Sequence, residues 1–162
     1  MAETGPRLRN SAKAVIIEDG RLLVTVNQGE NGRYYLLPGG GQEGGETLHQ
    51  ALRRECREEI GADIEIGELL YLREYIGRNH EFVADDGGAH QVDFMFTCRL
   101  KTRPSHDAAT VPDTWQIGLE WVPLKMLDNY QLYPQTLIPR LMADGDRSSE
   151  DGDRPIYLGD VN

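Results

Sequence analysis

Three glutamates, Glu55, Glu58 and Glu59, follow a run of bare glycines, Gly39, Gly40 and Gly41, and no other stretch of this chain has spacing so suited to chemistry. On a helix, positions i, i+3 and i+4 share one edge. Like charges there repel by about a few tenths of a kcal/mol per pair, and by more where water is partly excluded. Such an edge calls for a positive partner. A hard divalent cation is the simplest one, because Mg²⁺ takes one or two carboxylates and leaves its other positions to water and substrate phosphates. The backbone of Pro38, Gly39, Gly40 and Gly41 can approach a ligand closely and offer bare carbonyl and amide groups. Carboxylates facing such carbonyls form an all-oxygen cation site.

The element that must position these acids is a helix starting near Glu46 and Thr47 and ending at Gly61. Thr47 is the N-cap candidate, and Gly61 can supply a left-handed C-terminal cap. At about 100° per residue from Leu48, the apolar residues Leu52, Cys56 and Ile60 fall at roughly 40°, 80° and 120°, forming one buried stripe. Glu55 and Glu59 flank Leu48 by about 20° and Glu58 lies about 80° from it, so all three border that stripe. Gln50, Arg53 and Arg57 face water. Spacing alone leaves a plainer alternative, since glutamate-rich helices are commonly solvated faces braced by i,i+4 pairs such as Arg54 with Glu58.

The longer pattern decides between the two. Gly40, Glu46, Arg54, Glu55, Cys56, Glu58, Glu59, Gly61 and Ala62 stand in an order and spacing that resembles the signature of the Nudix hydrolase family at every fixed position. Cys56 and Ala62 are small members of its apolar positions. The flanks are similar to the family as well. Tyr35-Leu36-Leu37-Pro38-Gly39-Gly40 precedes the signature, with tyrosine where tryptophan is frequent, and Glu120-Trp121-Val122-Pro123-Leu124 follows it.

The resemblance implies an α/β fold: a Nudix-type α/β/α sandwich with a mixed β-sheet and a loop-helix-loop catalytic motif. It implies Glu55, Glu58 and Glu59 as metal ligands together with the Gly39 carbonyl, with Mg²⁺ as cofactor and Mn²⁺ as its substitute. The implied reaction is hydrolysis of a diphosphate linkage in a nucleoside diphosphate derivative. Such a linkage is kinetically guarded because its oxygens repel a nucleophile, and divalent cations neutralise that charge. The catalytic candidates are Glu55, Glu58, Arg54 and Glu120. Glu55 is the first choice of base, Arg54 orients a carboxylate, and Glu46 is its structural partner. Among the later acids Asp93, Asp113 and Glu120, the last ranks first because it precedes the Trp121 strand, and each has an ordinary exposed acid as its alternative.

Substrate identity stays open at this level. Gly77 stands where the ADP-ribose type of the family carries a proline, the tyrosine of the dinucleoside polyphosphate type is missing from Arg78 to His80, and the proline-rich element of the NADH type is absent. A rival reading from a different class is a nucleotide-sensing module that uses the same cleft without turnover. Relatives are often dimers, which leaves a homodimer open, yet no heptad or isolated apolar patch marks an interface.

The chain has 162 residues and a formal net charge of -10. That length suits one domain spanning 1–162, with 1–10 and 144–154 expected to be mobile. The acidic balance argues against a nucleic-acid surface, which needs basic stripes. It also sits awkwardly with an anionic substrate, a conflict that a bound cation resolves by reversing the local sign. No apolar run reaches membrane-spanning length and the opening MAETGPRLRN has no signal-like stretch, so a cytoplasmic protein without membrane contact is expected. Two cysteines, Cys56 and Cys98, read as buried reduced thiols.

Around the helix the pattern is mostly strand. Residues 12–18 and 21–27 form a predicted hairpin about Asp19-Gly20, and apolar residues on both faces make its first strand central. Residues 28–33 read as a polar loop and 34–37 as a short strand delivering the glycine loop. Residues 63–66 and 69–75 read as strand segments broken at Gly67, and 78–88 as a loop with a turn at Asp86-Gly87-Gly88. Val92 to Leu100 alternates as a half-buried strand. Residues 102–114 form a polar connection suited to shaping substrate access. Strand 117–122 follows, then a helix begun by Pro134 that carries Leu137, Ile138, Leu141 and Met142 inward, and an edge segment at 155–158.

Overall fold

The computed structural model describes residues 7–82, 84, 87–144 and 155–162. The first half holds β1 (Leu8–Glu18), β2 (Arg21–Gly29), β3 (Gly32–Leu36), β4 (Gly39–Gly41) and α1 (Leu48–Ile60). The second holds β5 (Ile64–Ile76), β6 (His90–Leu100), β7 (Gln116–Pro123), β8 (Leu132–Tyr133), α2 (Leu137–Asp144) and β9 (Ile156–Asp160). Asp19 and Gly20, between β1 and β2, take φ of 49° and 70°. Two positive values in a two-residue connection make the turn whose twist matches a hairpin.

The strands run in the order β8-β3-β2-β1-β6-β5-β9, with β4 attached to β1 and β7 to β2. β1 lies parallel to β6 from Leu8↔His90 to Ile16↔Cys98, whereas β5 runs antiparallel to β6. The sheet is therefore mixed, and β1 is central, as apolar residues on both of its faces predict. Alternation along β1 divides the core. Ala12, Ala14 and Ile16 pack with Leu52, Cys56 and Ile60 of α1, while Val15 turns toward Leu22, Met95 and Leu137. Each large aliphatic side chain so buried contributes about 1.5–3 kcal/mol. A helix on either side of a mixed sheet is the α/β/α sandwich.

Several local expectations change. Residues 8–10, expected to be mobile, begin β1 because they pair with His90, Gln91 and Val92. The glycine run is not a loop but the short strand β4, pairing Ser11, Ala12 and Lys13 with Gly41, Gly40 and Gly39. β5 is one strand with register shifts near Gly67 rather than two segments. The predicted alternation of β6 holds, yet its polar face is covered too: Asp93 and Met95 are as buried as Phe96. Met142 is 38% exposed, so α2 carries inward only Leu137, Leu141 and, in part, Ile138. Residues 1–6 and 145–154, expected to be mobile, and Asp86 of the expected turn lie outside the described residues, while Asp144 ends α2. Cys56 and Cys98 are free and buried. Among the described residues no helix is long and apolar enough to cross a membrane.

Candidate active site

The helix that carries the acids is locally well specified. Thr47 Oγ1 accepts the Gln50 amide and Gln50 Oε1 accepts the Thr47 amide, a capping box in which the threonine contributes about 1 kcal/mol. At the other end Gly61 takes φ 61°, and a Cβ there would also lie 2.6 Å from the Ala108 backbone. No other residue type meets both demands without strain.

The carbonyls of the last helical turn, which lack intrahelical partners, are satisfied by residues 105–116. Ile60 O accepts the Ser105 amide at 2.9 Å, Arg57 O that of Thr110 at 3.4 Å and Glu58 O that of Val111 at 3.0 Å. Glu59 O accepts Gln116 Nε2 at 2.7 Å. The segment expected to shape substrate access is thus a strap bound to the backbone of α1.

β4 runs along the acidic edge of the helix. The Gly39 amide donates to Glu59 Oε2 at 2.9 Å. A Cβ on Gly40 would stand 2.6 Å from the Glu55 carboxylate, and one on Gly39, at φ 130°, would stand 2.1 Å from Ala12 O. Glycine is needed at both positions for backbone and carboxylates to meet this closely. Burial pushes the Glu59 carboxyl up to about 8, with Lys13 and the Gly39 amide opposing and Asp113 and Glu55 adding to the rise. Burial likewise raises Glu55, against the opposing charge of Arg54.

Arg54 ties the acids together. Its Nε and Nη2 reach Glu46 Oε1 and Oε2 at 2.7 and 3.0 Å, its Nη1 reaches Glu55 Oε1 at 3.1 Å and Glu58 Oε2 at 3.2 Å, and its Nη2 also donates to Gly41 O at 2.9 Å. The planar fork suits such bidentate recognition, and a lysine could not reproduce it. The hydrogen bonds from Arg54 hold Glu46 down to about 2.

The structure joins Arg54 to Glu46, Glu55 and Glu58 and places Glu59 on the Gly39 amide. It does not bring Glu120 to them. Leu119 and Trp121 of β7 pack on the α1 side, so alternation turns Glu120 to the opposite face, where it accepts the Tyr130 hydroxyl at 2.9 Å. Asp93 is not an exposed acid but 1% accessible, and it is held by Arg73 Nε at 2.6 Å and Gln91 Nε2 at 2.7 Å. Burial alone would raise Asp93, but the charges of Arg73 and Lys13 and these hydrogen bonds outweigh it and leave the carboxyl below its usual range. Of the later acids, Asp113 adds to the rise of Glu59 through its charge.

Three residues outside the sequence pattern adjoin the site. Lys13, Arg73 and Gln91 line a cavity of about 130 Å³ with Leu37, Asp93 and Tyr133. Lys13 Nζ donates to Gly39 O at 2.8 Å, so Gly39 offers its amide to the acids and its carbonyl to an ammonium. One signal was available: a lysine between alanines in an otherwise apolar central strand.

The donor chemistry fits a hard cation. Carboxylates of Glu55 and Glu58 and the carbonyls of β4 are all oxygen, and the cradle at Gly40 holds one carboxylate where any side chain would displace it. Among the described residues no three His, Cys, Asp or Glu side chains converge as a ligand set, so the expected trio of Glu55, Glu58 and Glu59 is not gathered round one point.

A sequence profile of the NUDIX domain matches residues 7–141. This chain belongs to the Nudix family. Nucleoside triphosphatase NudI from Enterobacter sp. (strain 638) is 40% identical over 63 residues, covering 37% of this chain and 45% of that protein. The chain therefore spans less than half the length of this curated relative. The Nudix fold is also seen in a MutT NUDIX hydrolase from Burkholderia pseudomallei, 26% identical with a TM-score of 0.59, over 74% of this chain and 85% of that one. A NUDIX hydrolase from Nitrosomonas europaea superposes with a TM-score of 0.67 at 20% identity, over 91% and 97% of the two chains.

Proposed function

We propose that this Nudix protein is a pyrophosphohydrolase that cleaves a diphosphate linkage in a nucleotide-derived small molecule, with Mg²⁺ as cofactor and Mn²⁺ as substitute. The observation that carries the reading is the packing of Glu55 against Gly40, with Arg54 bridging Glu55, Glu58 and Glu46. A guanidinium holding two carboxylates in one orientation beside bare backbone is a fixed acidic face, whereas a solvated helix edge would leave them free.

Glu55 and Glu58 would hold the cation; of the other two expected ligands, the Gly39 carbonyl accepts Lys13 and Glu59 lies behind, on the Gly39 amide. When bound, the cation supplies charge neutralisation at the diphosphate and activation of water. The chain's own contribution is positional. Arg54 sets the Glu55 carboxylate, which takes the proton of the attacking water. Asp113 is the second acid within electrostatic reach of this face, and Glu120, ranked ahead of it on sequence, is set aside as a base because it faces Tyr130. The protein acts as a single domain in the cytoplasm on a small anionic substrate.

The test is a panel of nucleoside diphosphate derivatives incubated with the wild type, Glu55→Gln and Glu58→Gln, with and without Mg²⁺. The expected result is metal-dependent release of a nucleotide product by the wild type and loss of about a hundredfold or more in both variants. Full activity in both variants, or ligand-induced thermal stabilisation without product under either metal, overturns it.

A further inference from the structure

Resting on that reading, we propose that Lys13 is a substrate-binding residue: from the cavity side of Gly39, its ammonium holds a phosphoryl oxygen of the diphosphate. Lys13 interrupts the apolar run of β1 on the face it shares with Val15, away from α1 and toward the cavity. The strand places it opposite Gly39, and its one hydrogen bond among the described residues goes to the neutral Gly39 carbonyl at 2.8 Å. An ammonium has three donors, so two remain.

Of the other cations near the site, Arg9 lies exposed beside Gly41 and two are already engaged. Arg54 is spread over Glu46, Glu55, Glu58 and Gly41 O, and Arg73 over Asp93, Val161 O and the Asn162 side chain. Lys13 makes no ion pair among the described residues, although its charge is felt by Glu55, Glu59 and Asp93. A partly buried cation closed onto no acid, with unused donors in the wall of a cavity that Arg73 and Gln91 also line, suits an incoming anion. A phosphoryl oxygen matches it in charge and accepts the remaining N–H groups. It also counters the repulsion that the acidic face imposes on a diphosphate.

The chain contains three lysines, Lys13, Lys101 and Lys125, of which the latter two are exposed. Acetic anhydride labelling of the wild type in EDTA, read by mass spectrometry with and without inorganic pyrophosphate, therefore reports on Lys13 directly. The expected result is loss of Lys13 labelling with Lys101 and Lys125 unchanged. Calorimetry on Lys13→Met, checked for folding by thermal unfolding, should show pyrophosphate binding weakened about tenfold to a hundredfold. Unchanged Lys13 labelling at saturating pyrophosphate, no pyrophosphate binding by the wild type, or wild-type affinity in the variant overturns the proposal. Labelling of the wild type decides the question even if the variant fails to fold. Protection of Lys13 without turnover of any diphosphate compound would reject the hydrolase reading alone. Turnover without protection would reject the Lys13 role alone.

Discussion

Glu59 accepts the Gly39 amide at 2.9 Å from a position that is 4% exposed. A carboxylate so buried costs free energy; a backbone amide and the charge of Lys13 offset part of it, and burial still leaves the carboxyl raised to about 8. The relationship fixes the distance between the acidic helix and β4, and it makes the glycines of β4 more than a flexible link.

Gly39 and Gly40 should therefore fail in different ways. Gly39→Ala places a Cβ against Ala12 O at a φ that alanine avoids, and a loss of at least about 2 kcal/mol is expected in denaturant unfolding. Gly40→Ala meets only the end of the Glu55 side chain, which can swing aside. Its stability should change less, while hydrolysis falls about a hundredfold because the carboxylate is displaced by an ångström or more. Equal destabilisation with full activity in both variants would contradict this account of β4.

Glu46 holds Arg54 with two hydrogen bonds from outside the helix. Glu46→Gln should leave the fold intact and lower turnover about tenfold, as loss of an orienting partner does. Steady-state kinetics beside a thermal unfolding curve separates that result from a simple loss of folded protein.

At the C-terminal end of the helix, Gly61→Ala should destabilise by about 1–3 kcal/mol through its left-handed backbone and its contact with Ala108. Faster amide exchange at Ser105, Thr110 and Val111 should accompany the loss, since these residues satisfy the end of α1. Unchanged exchange there would mean that the strap does not depend on this packing.

The acid limb of stability should depend on Asp160. Burial raises this carboxyl, but hydrogen bonds from Asn79, His80 and the Ile76 amide outweigh it and bring the value down to about 2. The folded value lies below the unfolded one of about 3.9. Its contribution is therefore present above about pH 4 and lost as pH falls through about 2. Unfolding of Asp160→Asn measured across that window should show a flatter decline than the wild type, and an identical decline would exclude this group.

What could be read from sequence was local. Thr47 and Gly61 announce the ends of α1 within one or two turns, and the Asp19-Gly20 turn announces the first hairpin, whereas the part Gln50 plays in the cap was not read. Glu55, Glu58 and Glu59 fall on one edge by helical period alone. Residues whose meaning depends on distant strands were not legible. Arg73 touches Asp93 twenty positions away and Val161 O eighty-eight positions away, so nothing near it in the chain marks it. Glu120 looked promising by its neighbour Trp121, but only the pairing of β7 with β2 determines which face it takes. The glycine run read as a loop because propensity disfavours glycine in strands, whereas pairing with β1 and proximity to Glu55 require it there.

The acidic edge of α1 is the proposed seat of a divalent cation, and the dependence of hydrolysis on Mg²⁺ concentration tests this most directly. For Glu58→Gln compared with the wild type, half-maximal activity should require about tenfold more Mg²⁺ or above. Superimposable Mg²⁺ curves for the two proteins would contradict it.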